Sequence, residues 1–271
     1  EMNFSPAYGY LNARWQRLNL ARFAPRNGEG SVIGSSSGNL SLAAPAGSWS
    51  RIAANVDFTG TAASGEHRVE VRSGSLRVET VGRELRAAAD LTTARDGRLR
   101  ASCTAPSPTG IALPERGAFT IGLEGGDFRA IRPWLPAGLS LEGGVAAQAS
   151  GEWLPSRKLV LRGSATVGKG SVSLQRKGGT LRADMKAASL SWDWRDETLG
   201  GSLDLDLADT GRVRGEFRLP IPARIPATIS PDGPVSITVS GNVRENGILA
   251  ALFPGMLQES RGKLELEARV G

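Results

Sequence analysis

The chain has 271 residues, of which 40% are hydrophobic but only 6% aromatic, with 35 glycines and 15 prolines. That apolar content excludes a disordered chain, and so few rings among so many glycines exclude a compact core built on large side chains. The formal charge is +6, and five of the 33 basic residues are lysines, which leaves 28 arginines. Codon bias or contact with phosphate or anionic lipid would each account for that ratio. A single cysteine, Cys103, excludes an intramolecular disulfide.

From the start, Tyr8 to Phe23 alternates in places and predicts a first strand or two. Ser31 to Ala46 is rich in Ser, Gly and Ala and only weakly strand-like. From Trp49 the alternation strengthens. Ile52, Ala54, Val56 and Phe58 fall on one face, with Gly60 ending the run. Val69 and Val71 precede Gly74, Leu76 and Val78 precede Gly82, and Leu85, Ala87, Ala89 and Leu91 follow. Leu99, Ala101 and Cys103 come after a turn at Asp96-Gly97, and Phe119, Ile121 and Leu123 run into Gly125-Gly126.

The pattern then pauses for an element that occurs twice, at Phe128–Trp153 and from Ile248 to the end. Each copy opens with an apolar segment at helical spacing and reaches a Leu/Phe-Pro step, Leu135-Pro136 in one and Phe253-Pro254 in the other. Gly144 and Gly262 each lie eight residues beyond the proline, and an alternating strand follows. Proline cannot continue a helix, so each copy predicts a short amphipathic helix, a turn and a strand. Matched spacing at two places is the mark of an internal repeat.

Between the copies the alternation is clean: Val145, Ala147 and Ala149, then Leu159 and Leu161, then Val172 and Leu174 before a hairpin turn at Lys177-Gly178-Gly179. Leu181, Ala183 and Met185 come next, and then Leu190, Trp192 and Trp194. Leu203, Leu205 and Leu207 enclose Asp204 and Asp206, and Val213, Phe217 and Leu219 end at Pro220. After a proline-rich connector, Val235, Ile237, Val239 and Val243 form a further strand, and Leu264 to Val270 the last.

Period-2 alternation repeated a dozen times, with turns about 8–12 residues apart, predicts an all-β antiparallel meander. Two short helices could not cover its apolar face. The sheet must therefore curl on itself, either closed as a barrel or sandwich or open as a trough with an apolar inner groove. The residues from Leu181 to Val243 named above are the expected lining of that groove. The chain divides at 1–127, where the pattern is weaker, and 128–271, as one continuous domain.

The helix-Pro elements set in a Leu-x-Leu, glycine-rich meander (Ile131–Gly144, Ala147–Trp153, Leu159–Gly170, Leu249–Val270) resemble the TamB family. These are AsmA-like, bridge-type lipid-transfer proteins of Gram-negative bacteria. The resemblance covers residues 75–271 well and the first seventy poorly, and it assigns the chain to the C-terminal half of such a protein. It implies a folded-over sheet, or β-taco, in a periplasmic segment of a parent anchored in the inner membrane by a helix absent from this sequence. It further implies membranes at both ends of the full-length protein, a TamA-like, Omp85-type barrel as partner, phospholipid as cargo, and a part in outer-membrane biogenesis. No catalytic residue and no cofactor come with it. Glu1 and Gly271 read as the ends of an excised piece.

Other chemistries find little support. Gly34-Ser35-Ser36-Ser37-Gly38 fits the nucleophile-elbow pattern, but a strand rather than a helix follows it. The one histidine, His67, cannot build a zinc site with one distant cysteine. Asp204/Asp206 and Glu265/Glu267 have the spacing of a solvated strand face as much as of a glycosidase pair. Arginines are scattered and aromatics sparse, so no nucleic acid is expected as a partner. The longest apolar run, Ile248–Leu257, is about half of the roughly 20 residues that span a bilayer. The alternative to a lipid-conducting trough is a closed structural β-solenoid that aids outer-membrane protein assembly; a polysaccharide-active β-helix enzyme comes third.

Overall fold

The computed structural model describes residues 2–5, 10–23, 31–43, 50–64, 67–94, 97–107, 114–127, 139–176, 179–208, 211–224, 233–246 and 261–270. Nearly all of these residues are strand: β1 (Met2–Ser5), β2 (Tyr10–Asn19), β3 (Ser31–Ala43), β4 (Arg51–Ser64), β5 (His67–Val81), β6 (Glu84–Thr93), β7 (Arg98–Pro106), β8 (Gly117–Asp127), β9 (Leu139–Leu154), β10 (Lys158–Arg176), β11 (Gly179–Arg195), β12 (Thr198–Leu207), β13 (Gly211–Leu219), β14 (Ser236–Asn246) and β15 (Arg261–Val270). Strand order in the sheet is sequence order, with β1 and β15 as end strands that each have one neighbour. The sheet is therefore open. Two single 3-10 turns, Leu20–Phe23 and Pro155–Arg157, are the helical pieces among the described residues. Both predicted amphipathic helices fall on segments outside them, whereas the strands expected after each proline are present as β9 and β15.

Gly82 ends β5 as expected, but other glycines expected to end strands lie inside them. Gly60 is within β4, and the runs on either side of Gly74 are the single strand β5. The weak Ser/Gly/Ala segment is β3, which pairs with β4 along its whole length. Long neighbours supply the backbone hydrogen bonds that local propensity does not favour, and burial on one face overrides propensity in a sheet. Among hairpins whose loop residues are described, those closing at Val81↔Glu84 and Arg195↔Thr198 are as tight as a hairpin can be. Each has a residue in the left-handed region at the first loop position, Gly82 (φ 63) and Asp196 (φ 51), as the twist of a two-residue loop demands.

The chain divides into two compact units. The first (residues 1–124 and 150–157) contains β1–β7, most of β8 and the end of β9. The second (125–149 and 158–271) contains most of β9 and all of β10–β15. In the first, one apolar row runs across six strands: Leu40, Ala54, Val78, Ala87, Cys103 and Phe119 are successive cross-strand partners. The next row on the other face is Asn39, Asn55, Arg77, Ala88, Ser102 and Thr120. The alternation read along each strand thus becomes alternation of whole rows, because opposed residues share a face.

In the second unit the proline-rich connector begins by folding over a sheet end. Ala223 N–H donates to Asp196 O (2.7 Å), Leu159 N–H donates to Ala223 O (2.7 Å), and Trp194 Nε1 donates to Ile221 O (2.8 Å). Pro220, Pro222 and Ala223 are buried there. Pro106-Ser107 stands at the corresponding place in the first unit. There Ser107 N–H donates to Arg83 O (2.8 Å) and its hydroxyl to Ser50 O (2.9 Å).

Candidate functional site

The residues expected to line a groove come from four strands, and the register brings them to one face of the second unit. Ala165, Leu190, Leu203, Gly215 and Val239 form one row; Val167, Ala188, Leu205, Val213 and Gly241 form the next. Trp192, Gly201, Phe217 and Ile237 form another, and Trp194, Leu199 and Leu219 lie beyond them. At the far side Met185 pairs with Leu207, which pairs with Gly211, which pairs with Val243. Leu181 and Ala183 are two and one alternations further along β11, and Val235 immediately precedes β14.

One parity problem in the sequence is resolved by the backbone. Leu181, Ala183 and Met185 are odd-numbered and Leu190, Trp192 and Trp194 even, so a regular strand would put the two sets on opposite faces. The register shifts between Met185 and Ala187, and this bulge returns both sets to one face.

The face is apolar but only partly buried. Among the described residues, the hydrophobic side chains removed from solvent are Ala54, Ala105, Val145, Met185, Leu207 and Ala223. Met185 and Leu207 form a small cluster with Val167, Ala183, Ala188, Leu205 and Val213 against it. Leu203 and Ile237 keep 39% and 37% of their surface exposed. A layer packed on this face would have removed them from water, since apolar faces are normally covered.

The opposite face is charged and paired. Asp204 accepts from Arg212 Nε (2.6 Å), and Arg214 Nε lies 3.4 Å away. Asp90 accepts from Arg98 Nε (3.0 Å), with Arg100 Nε at 3.7 Å. The hydrogen bond from Arg212 holds the Asp204 carboxyl below its ordinary value of 3.8, and the bond from Arg98 does the same to Asp90, in both cases against an opposing effect of desolvation. Asp204 is thus a structural counter-ion. A folded-state value below the unfolded one means stability that is present above pH 3.8 and lost as pH falls through the lowered value. Surface pairs of this kind contribute little. Melting curves of an Asp90→Asn/Asp204→Asn variant should therefore lie slightly below wild type near neutral pH and meet it in strong acid. A constant gap at every pH would refute the assignment.

These two clips are one motif, missed in the sequence reading. Asp90-Leu91-x-x-Ala94-x-x-Gly97-Arg98-Leu99-Arg100 recurs 114 residues later as Asp204-Leu205-x-x-Ala208-x-x-Gly211-Arg212-Val213-Arg214. The backbone repeats with it. The bulge at Val71/Ser73 matches that at Met185/Ala187, and Ala94 N–H to Glu70 O (3.0 Å) matches Ala208 N–H to Asp184 O (2.9 Å). Comparison of the two Gly-Arg-x-Arg strings would have found it.

The other singled-out residues are placed plainly. Ser36 lies mid-strand in β3, 5% exposed, accepting from Trp15 Nε1 (3.2 Å), so it has neither the sharp turn nor the exposure of a nucleophile elbow. His67 opens β5, paired with Ser64. The polar face of the first unit carries a shallow cavity of about 460 Å³, lined by Ser37, Asp57, Ser75, Asp90 and Arg98 among others.

Residues 107–230, from the end of β7 through β13, match the family model described as TamB, N-terminal domain. Over that span the chain is similar to the TamB family. The matching model is that of the family's N-terminal domain. No curated protein and no solved structure matches the chain. TamB proteins are transport and assembly proteins associated with the cell envelope, and the matched span includes most of the apolar rows of β10–β13.

Proposed function

We propose that this TamB-like segment shields phospholipid acyl chains on the apolar face of its sheet while they cross the periplasm between inner and outer membrane. The observation that carries the reading is the set of cross-strand apolar rows, Leu190/Leu203/Val239 and Trp192/Phe217/Ile237, left half-exposed. A 16-carbon chain in water is unfavourable by on the order of 10 kcal/mol, at about 0.8 kcal/mol per CH₂. A continuous apolar surface removes most of that cost. Small side chains without deep pockets hold a chain about as well as a bilayer does, so lipid can leave as well as enter. The charged, ion-paired face opposite keeps the segment in water. In this reading the full-length protein is anchored in the inner membrane and delivers to a TamA-type, Omp85-class barrel in the outer membrane.

Native mass spectrometry of the purified chain, with lipid extraction alongside, tests this. Phospholipid bound to the chain is the expected result. A chain at its bare sequence mass, with no extractable lipid, would overturn it and favour a closed structural scaffold. The open strand order speaks against that alternative.

A further inference from the structure

Five aromatic residues of the apolar faces share one arrangement. A Cβ built on Gly74 would lie 2.3 Å from the ring of Phe58, its cross-strand partner, so the ring lies flat across the glycine. The same holds for Trp192 on its partner Gly163 (2.4 Å), Phe217 on its partner Gly201 (2.5 Å) and Trp15 on its partner Gly38 (2.8 Å). Trp153 covers Gly117 likewise (2.2 Å). Five rings on two separate units are therefore laid down on the sheet rather than standing on it. In strands, side chains ordinarily stand roughly perpendicular to the sheet. Standing rings of this size would fill the space in front of the apolar rows.

We propose that these glycines set the depth of the acyl path: each removes the one side chain that would prop its partner's ring upright, and the flat rings become the floor on which acyl chains slide. This rests on the lipid-shielding reading above. It accounts for a glycine inside a strand, where glycine is otherwise unfavourable, opposite a ring at Gly38, Gly74, Gly163 and Gly201.

Gly74 gives the cleanest test. The three nearest atoms to its built Cβ all belong to the Phe58 ring, and Gly74 is in an extended strand that a β-branched residue suits. At Gly163 and Gly201 a backbone carbonyl also stands within 2.6 Å, so substitutions there would disturb the ladder itself. Gly122, in β8, has nothing within 4 Å of its built Cβ and serves as the control.

Phospholipid bound per chain is measured for wild type, Gly74→Val, Gly74→Val/Phe58→Ala and Gly122→Val, each purified identically and checked for folded signal by circular dichroism. Gly74→Val should bind about tenfold less, the effect of two methylenes returned to water. Removing the lifted ring in the double variant should restore binding, and Gly122→Val should match wild type. Undiminished binding by Gly74→Val would overturn the inference and leave lipid shielding standing. Reduced binding that the double variant fails to restore would also overturn it, because the loss would then come from damaged strand pairing. Wild-type protein without lipid would overturn the underlying reading itself.

Discussion

Leu205→Arg should abolish phospholipid binding while leaving the fold intact. Leu205 is central to the apolar rows, registered between Ala188 on β11 and Val213 on β13 and packed against the Met185–Leu207 cluster. Its neighbours along the strand, Asp204 and Asp206, face the other side, so an arginine at 205 has no carboxylate on its own face within β12. Holding a guanidinium against an acyl chain costs about 2.5–3.5 kcal/mol even where it can reach toward water. That is a loss of about a hundredfold in occupancy. Without lipid the side chain is only half-buried and can extend into solvent, so the melting temperature should change little. Lipid content equal to wild type in a folded Leu205→Arg protein would remove this face as the acyl path. Ile237→Arg, on the neighbouring row, should behave the same way.

The second large effect is on stability. Leu207→Ala should cost about 2–4 kcal/mol, because Leu207 is 7% exposed against Met185 at 4% and the site cannot easily collapse. For a unit of this size that is a fall of about 5–12 °C in melting temperature. Leu203→Ala, on the same strand and chemically identical but 39% exposed, should cost less, because it returns less buried area and opens no enclosed cavity. The contrast separates the two roles that alternating leucines take in this sheet: a few hold the strands together, and the rest present apolar surface. Equal losses at 203 and 207, read by thermal melts of the two variants, would mean that Leu203 is covered in solution and that the face is closed.

The arginine excess also finds a partial explanation. Arg98, Arg100, Arg212 and Arg214 each lie against Asp90 or Asp204, where the planar fork suits a carboxylate from a neighbouring strand. These pairs sit on the face opposite the apolar rows and near the β6–β7 and β12–β13 connections. Their recurrence at a spacing of 114 residues, with the bulge and the backbone bond that accompany it, shows that the two units share a local plan.

Much of this protein was determined by its sequence alone. Period-2 alternation fixes all-β structure because side chains of a strand alternate faces, and that property needs no tertiary information. The same alternation picked out Leu203, Leu205, Leu207, Val213, Phe217 and Leu219 as one apolar face, and the register bears this out because antiparallel partners share a face. What alternation cannot specify is where a strand ends or slips. Gly60 and Gly74 read as breaks, yet pairing on both sides carried β4 and β5 through them. The bulge at Met185/Ala187 brings two out-of-phase runs to one face; the change of parity is visible in the sequence, but only the register with β12 shows where the strand slips. Likewise the glycine beneath each ring is distant in sequence, 16 residues away for Phe58 and 29 for Trp192, and only register brings the two together. Composition announced many glycines and few aromatics; the tertiary structure decided that they would be stacked on one another, because a ring can lie flat on a sheet only where its cross-strand partner has no side chain.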